Sequence, residues 1–158
     1  MNLSDIRQNL YNIINPLPFM ELFDASKVLL IDDGNQRQAM ESALVDFGMV
    51  ILLLPPQCVK INEQSRKQVS LDYSTTVWIR TNPKVKYKEG EKIFDPLEIE
   101  QQIIPAVITW IPKENFGQKP FTIPNGLEPE SDWSDIGNDS RLIRFSTQII
   151  YSTNTTTT

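Results

Sequence analysis

Hydrophobic and polar residues alternate over residues 68–81 (QVSLDYSTTVWIRT). Every second position is apolar, with one interruption at Thr75: Val69, Leu71, Tyr73, Val77 and Ile79. Period-two alternation in a stretch rich in β-branched and aromatic residues is typical of a strand with one face on a core. The pattern therefore predicts a long β-strand, around which the rest of the chain is organised.

Three other segments predict strands. Residues 142–151 (LIRFSTQIIY) repeat the alternation. Residues 49–54 are almost entirely apolar and end at Pro55-Pro56, which is typical of a strand buried on both faces. Residues 27–32 form a shorter apolar run before a turn. The polar residues 57–67 are predicted to be a loop that leads into the long strand.

Apolar residues recur at helical spacing in three segments: 4–14, 35–47 and 95–111. Ser4 and Asn35 are predicted to cap the first two helices, and Gly48 is placed to end the second. Asp95 precedes a proline, as at a helix start, and caps the third. Pro105 interrupts that helix and predicts a kink.

These elements predict an α+β fold with a mainly antiparallel sheet of three to five strands and two or three helices packed on one face. We expect residues 1–152 to form a single domain with a long loop at 113–140. Residues 153–158 (TNTTTT) cannot bury apolar area, so we expect a tail that is flexible or ordered by a partner.

The composition suits a soluble domain, with 40% hydrophobic and 22% charged residues in a chain of 158. No apolar run approaches the roughly 20 residues of a membrane helix, and the N-terminal residues do not resemble a secretory signal. Cys58, the single cysteine, is expected to be a small buried residue in a disulfide-free setting.

The sequence contains no histidine, so the commonest general base and most zinc sites are missing. Glycine-rich phosphate-binding patterns are missing too. We therefore expect a protein that is not an enzyme, with no catalytic residues, cofactor or metal.

Charge is unevenly distributed along the chain. Residues 60–92 contain eight bases and four acids, whereas residues 93–139 contain two bases and nine acids. Opposite charges on one small domain suit contact with a second copy or another subunit, although solvated loops explain them equally well. The candidate interface residues are the alternating lysines of 84–88 and the aromatic residues of the 113–140 loop: Lys84, Lys86, Lys88, Phe116, Phe121 and Trp133.

The segment VLLIDDG at 28–34 offers a competing interpretation. Paired acids at the end of a strand can hold magnesium or accept a phosphoryl group in doubly wound folds. Asp32 and Asp33 would then centre a small Mg-dependent phosphoryl-transfer or receiver-like α/β domain. Acids in a turn before a helix also stabilise its N-terminus, and this structural role is the favoured one.

The order helix–strand–strand–helix–strand over residues 35–152 resembles the tail terminator and minor tail protein families of long-tailed bacteriophages. The matching motifs are MVILLLPP, the strand that ends in TNP, and the helix that ends near ITWIP. The uneven charge and the threonine tail are not part of the family pattern.

The resemblance implies a virion structural protein that forms a closed ring, typically a hexamer. Such a ring joins the tail tube protein to the head connector or neck protein, and DNA passes through its lumen without sequence-specific contact. An acid-lined lumen would let DNA slide. Another position in the same machinery, such as a neck or baseplate adaptor, fits the sequence as well.

Overall fold

The computed structural model describes residues 3–65, 67–82, 96–113, 117–124, 130–131 and 139–152. The helices are α1 (Leu3–Ile14), α2 (Ala25–Val28), α3 (Arg37–Asp46) and α4 (Pro96–Ile108), with a 3₁₀ turn at Pro18–Leu22. The strands are β1 (Leu29–Ile31), β2 (Met49–Leu53), β3 (Gln57–Ser65), β4 (Gln68–Thr81), β5 (Glu130–Ser131) and β6 (Asp139–Ser152).

One sheet contains all the described strands, in the order β1-β2-β4-β6-β5, with β3 paired to β4 beside β2. Only β1 and β2 run parallel, and every other pair is antiparallel. This confirms the predicted α+β fold with its mainly antiparallel sheet. Within the described part of the chain, no helix has the length and apolar character to cross a membrane.

Strands β4 and β6 pair along all 14 residues of each. Residues opposite each other share a face of the sheet, so the register sorts both strands into odd-numbered and even-numbered faces. The odd-numbered residues are mostly buried, as at Val77 and Phe145. The predicted alternation of 68–81 is therefore confirmed, with matching bounds.

Helices α1 and α4 cover the odd-numbered face. The Glu100 carboxylate on α4 accepts hydrogen bonds from the Arg141 guanidinium on β6 at 2.7 and 3.1 Å. Asn9 on α1 donates to the side chain of Gln118, whose backbone pairs with Ile149. The helix α4 continues through Pro105, and Thr109 N–H then bonds the Pro105 carbonyl at 3.1 Å.

Strand β2 is buried at all five positions, as its sequence predicted. Val50 and Leu52 lie opposite Arg80 and Trp78, on the even-numbered face, and are also excluded from solvent. Helices α1, α2 and α3 all contact β2, and residues on both faces of the strand are buried, so this end of the sheet is covered on both sides.

The loop predicted at 57–67 is wrong, because residues Gln57–Ser65 form β3. The strand forms because β2 pairs with only the last five residues of β4, which leaves the edge of the preceding residues open for pairing. Cys58 is exposed on this strand, so its predicted burial is also wrong.

Two predicted helix caps differ from the structure. Ser4 lies within the first turn of α1, which begins at Leu3. Gln36 occupies the cap position of α3 without a side-chain hydrogen bond, so Asn35 is not the cap. The predicted end of this helix before Gly48 is confirmed.

The described parts of the 113–140 loop extend the sheet. Residues 117–123 run antiparallel to β6, with bridges between Gln118 and Ile149 and between Thr122 and Ser146. Strand β5 pairs farther along, where Glu130 is opposite Leu142 and Ser131 is opposite Arg141.

Candidate functional site

Of the six predicted interface residues, the structure describes Phe121. Its side chain is 1% exposed and packs against Trp110 and Phe145, with ring centroids 5.4 and 6.3 Å away. Phe121 is therefore a core residue, because its loop segment pairs with β6 and turns the ring beneath α4. The other five lie outside the described residues: Lys84, Lys86, Lys88, Phe116 and Trp133.

Asp32 and Asp33 form the turn between β1 and α3. The Asp32 carboxylate accepts the Gly34 N–H at 2.9 Å, and the Asp33 carboxylate accepts the Asn35 N–H at 3.0 Å. These are side-chain-to-backbone turns that use acids structurally. In the described ranges, no group of three or more metal-ligating side chains is found.

The side of the sheet that carries the even-numbered residues of β4 and β6 has no covering helix among the described elements. We call this surface, which continues onto β3 and 117–123, the open face. Its central residues are polar and at least partly exposed: Asp72, Ser74, Thr76, Arg144, Ser146 and Gln148. Hydroxyl, amide and charged groups therefore face outward from a rigid sheet, which is a surface suited to contact with another molecule.

Asp72 is the centre of the open face. Asn62 on β3 and Gln148 on β6 donate amide hydrogen bonds to its two carboxylate oxygens, at 3.2 and 2.9 Å. Both amides come from strands flanking β4, so the carboxylate is held between them. This bridge fixes the side chains of three strands in one row across the sheet.

A pocket of about 440 Å³ lies beside this row. Val59 and Pro120 supply apolar walls, and Asp72, Lys119 and Gln148 supply polar ones. A β-bulge between Cys58 and Lys60 leaves Val59 without a partner on β4. Because a bulge re-aims side chains, it explains how Val59 lines a pocket on the same side as Asp72.

The bases of the open face lie around the pocket. Lys60 is opposite Asp72 on β3, and Lys119 approaches Gln148 from the other side, with its N–H bonded to the Gln148 carbonyl at 2.8 Å. Both lysines and Arg144 are exposed. With Asp72 the only acid among these four side chains, the pocket has a positive rim on a chain whose net charge is −5.

The edge strand β3 also exposes apolar side chains. Val59 is 63% exposed and Ile61 is 70% exposed. A sheet edge with exposed β-branched residues is a common contact surface, since its backbone groups can pair with another chain.

A second groove of about 630 Å³ lies between α1 and the end of α4. Ile13, Ala106 and Trp110 form its apolar part, and Asn9 and Asn12 are among its polar residues. Ile111 beside it is 82% exposed.

Two pKa shifts fall outside the pocket. The Ser26 hydroxyl hydrogen bond lowers the pKa of Asp24, which caps α2 on the surface. Burial raises the pKa of Tyr73, and the neighbouring Tyr151 raises it further. Both shifts follow from local structure: a cap in the first case and the buried face of β4 in the second.

Sequence reasoning missed the residues of the pocket. Val59 in the pocket and Lys60 beside it fall in the segment predicted to be a loop, and Lys119 joins them only through pairing of 117–123 with β6. The one local signal was the alternation of 68–81, which placed Asp72 on the exposed side.

No protein-family model matches the sequence, and no curated protein matches it either. The geometry of the open face and its edge is therefore the basis for assigning a function.

Proposed function

We propose that the chain is a virion structural protein, a tail terminator-like ring subunit that joins the tail tube to the head connector. It acts by assembly with copies of itself, with a hexameric ring as the expected state. DNA passes through the lumen, and the protein works within the virion.

The observation that carries the proposal is the uncovered sheet next to the exposed edge of β3. Strands β4 and β6 have 14 residues each and span about 45 Å. Strand β2 pairs with only five residues of β4, so most of this length is not paired with β2. Ile61 is 70% exposed on the edge strand. A subunit that carries a long polar sheet surface and an apolar edge gains stability when neighbours cover them.

The sides of the subunit also differ from each other, which supports a ring. The edge at β3 is apolar, whereas the opposite edge carries Pro120, which lacks an N–H and blocks simple strand addition. Contacts between unlike surfaces are heterologous, and heterologous contacts close into rings when the rotation between copies permits.

The charges of the open face alter one expectation. Lys60, Lys119 and Arg144 make it more basic than the acid-lined lumen expected from the sequence. Within the proposed ring, this face is better suited to contact between subunits than to the passage of DNA, because exposed bases would bind phosphate.

Native mass spectrometry of the purified protein tests the proposal. We expect a single closed oligomer, six times the mass of the chain, which also binds a tail tube protein in a pull-down. A protein that remains monomeric at high concentration and does not bind tail tube protein would overturn the proposal.

A matched pair of variants tests whether the β3 edge is part of the contact. Ile61→Lys places a charge on the edge, and Val45→Lys places one on α3 at a side chain of almost equal exposure, 70% against 69%. We expect Ile61→Lys to weaken assembly at least about tenfold, and Val45→Lys to assemble like the original protein.

A further inference from the structure

We infer that the outer side of α4 in one copy packs on the odd-numbered face of the sheet in the next copy, beside β3. The helix then lies between two sheets, its own and that of the neighbouring copy. This inference rests on the proposed ring and identifies the two surfaces that meet in it.

Helix α4 carries apolar residues on two sides. Those of the inner side are fully buried in the core of the subunit: Ile99, Ile103 and Val107. The residues of the outer side form a row at helical spacing, which we call the α4 stripe: Leu97, Gln101, Ile104 and Ile108. Leu97 is 48% exposed and Ile108 is 43% exposed. A helix that is apolar on two sides is typical of one that packs on both, and the subunit alone leaves the outer side largely in solvent.

The matching surface lies where the odd-numbered face of the sheet ends beside β3. Tyr73 on this face is buried, whereas Leu71 and Val69 farther along β4 are only half-buried. Cys58 and Ile61 on β3 pair with Tyr73 and Leu71, so the register places both on the same face. We call this surface the β3 patch: Cys58, Ile61, Val69, Leu71 and Tyr151. The helices of the subunit therefore leave an apolar margin of this face uncovered.

The α4 stripe and the β3 patch fit each other in size and in chemistry. Strands β3, β4 and β6 form the patch, and two strand spacings correspond to about 10 Å, which is the diameter of one helix. Neither surface contains a charged residue. Covering a sheet edge with a helix is one way in which proteins protect exposed strands. Here the covering helix comes from the neighbouring copy.

The position of α4 prevents it from covering the β3 patch of its own subunit. Glu100 on α4 is hydrogen-bonded to Arg141, and Tyr151 in the patch is ten residues farther along β6, which corresponds to about 33 Å. The end of α4 at Ile108 is eight residues from Glu100, or about 12 Å. The contact therefore forms between copies. Since it joins two unlike surfaces, it is heterologous, as each contact in a cyclic ring must be.

Cross-linking through the single cysteine of the chain tests this contact. Cys58 is exposed within the β3 patch, and Gln101→Cys places a second thiol in the middle of the α4 stripe. A short bismaleimide then joins Cys58 of one copy to the introduced thiol of the next. We expect a ladder of covalent products that ends at the full ring on a denaturing gel, because each copy is linked on both sides.

Two controls accompany the cross-linking. The original protein, in which Cys58 is the only cysteine, should give no cross-linked product. Val45→Cys introduces a thiol at a side chain that is 69% exposed on α3, outside both surfaces, and should give none either. Circular dichroism melting of each variant checks that the fold is intact.

A substitution in the α4 stripe measures its contribution to assembly. Ile108→Lys places a charge in the apolar contact, so we expect assembly at least about tenfold weaker by mass photometry. Val45→Lys is the control and should assemble like the original protein. If Ile108→Lys also assembles like the original protein, the stripe lies outside the contact and the inference is overturned.

Other cross-linking results would assign the two surfaces differently. Two-chain products from the original protein would show that β3 meets β3 across a two-fold axis. Two-chain products from Gln101→Cys combined with Cys58→Ser would show the same for α4. Either result, or a ring that gives no cross-link in Gln101→Cys, overturns the inference, and the proposed function stands as long as native mass spectrometry shows a ring of the original protein. A monomeric original protein overturns the proposed function, and the inference with it.

Discussion

The two ends of the sheet share strand β4 but use it differently. At the β1–β2 end, both sides of the sheet are covered, and every residue of β2 is buried. At the β3–β6 end, α1 and α4 cover one side, and the open face lies on the other. Strand β4 is therefore covered on both sides at one end and on one side only at the other.

We expect the covered end to determine the stability of the fold and the open end to determine contact with other molecules. Apolar residues at the covered end contribute by burial, which is worth about 25 cal/mol per Å² of apolar area. The open end keeps side chains such as Ile61 in solvent, where they contribute little to the folded monomer. A substitution at the covered end should therefore lower the free energy of unfolding. A substitution at the open end should change that free energy little and, in the proposed ring, weaken assembly.

The largest expected effect is at the covered end. Ile51 on β2 is fully buried, so Ile51→Ala should lower the free energy of unfolding by about 3–4 kcal/mol through lost burial and a cavity. Ile61→Ala removes the same atoms from a side chain that is 70% exposed and should change stability by less than about 0.5 kcal/mol. Urea unfolding at a protein concentration at which the chain is monomeric measures both. Equal losses would show that β3 is covered within the monomer.

The covered end was also the more predictable end. The apolar run at 49–54 shows its burial in its composition, and the prolines after it mark where it stops. Strand β3 gives no such signal, because its apolar residues face solvent and its pairing depends on the length of β4. Strand preference set by a neighbouring strand is a tertiary effect that local patterns do not reveal.

The candidate site was less accessible to prediction than the fold. It requires a bulge at Val59 and a pairing of 117–123 with β6, which are contacts between residues far apart in sequence. The uneven charge led us to expect contact with another copy, which stays a prediction, and only the register of the sheet shows which lysines share a face.

A smaller effect tests how firmly the outer wall of the pocket is attached. Gly117 has φ +72°, and a Cβ there would lie 2.9 Å from the Ile150 carbonyl oxygen, which is part of the β6 backbone. Gly117→Ala should therefore cost about 2 kcal/mol, from the left-handed conformation and the close contact together. Urea unfolding measures the loss, and faster hydrogen exchange at the Ile150 N–H would locate it.

Gly34→Ala is the matched control for this change. Gly34 has φ +89° but nothing within 4 Å of the added carbon, so only the conformational cost of about 1 kcal/mol remains. If the free energy of unfolding fell equally in both variants, the close contact with β6 would contribute nothing to the loss in Gly117→Ala.

The smallest expected effect is a gain in stability, from a substitution on the buried face of β4 that is compared with one on its open face. Thr75 interrupts the apolar alternation of β4 and is 1% exposed, and its hydroxyl has no hydrogen-bond partner among the described residues. A buried hydroxyl without a partner costs free energy, whereas a methyl group in its place does not. Thr75→Val should therefore raise the free energy of unfolding by about 1 kcal/mol.

Thr76→Val makes the same chemical change one residue farther on, at a half-buried position on the open face. Since that hydroxyl lies at the solvent side of the sheet, we expect a change within about 0.5 kcal/mol. Thermal and urea unfolding of the two variants, compared directly, isolate the contribution of the face because both keep a β-branched residue on β4. A loss of stability in Thr75→Val would mean that the hydroxyl is hydrogen-bonded in solution and that water reaches this side of the sheet, in which case the two faces of β4 differ less than their burial indicates.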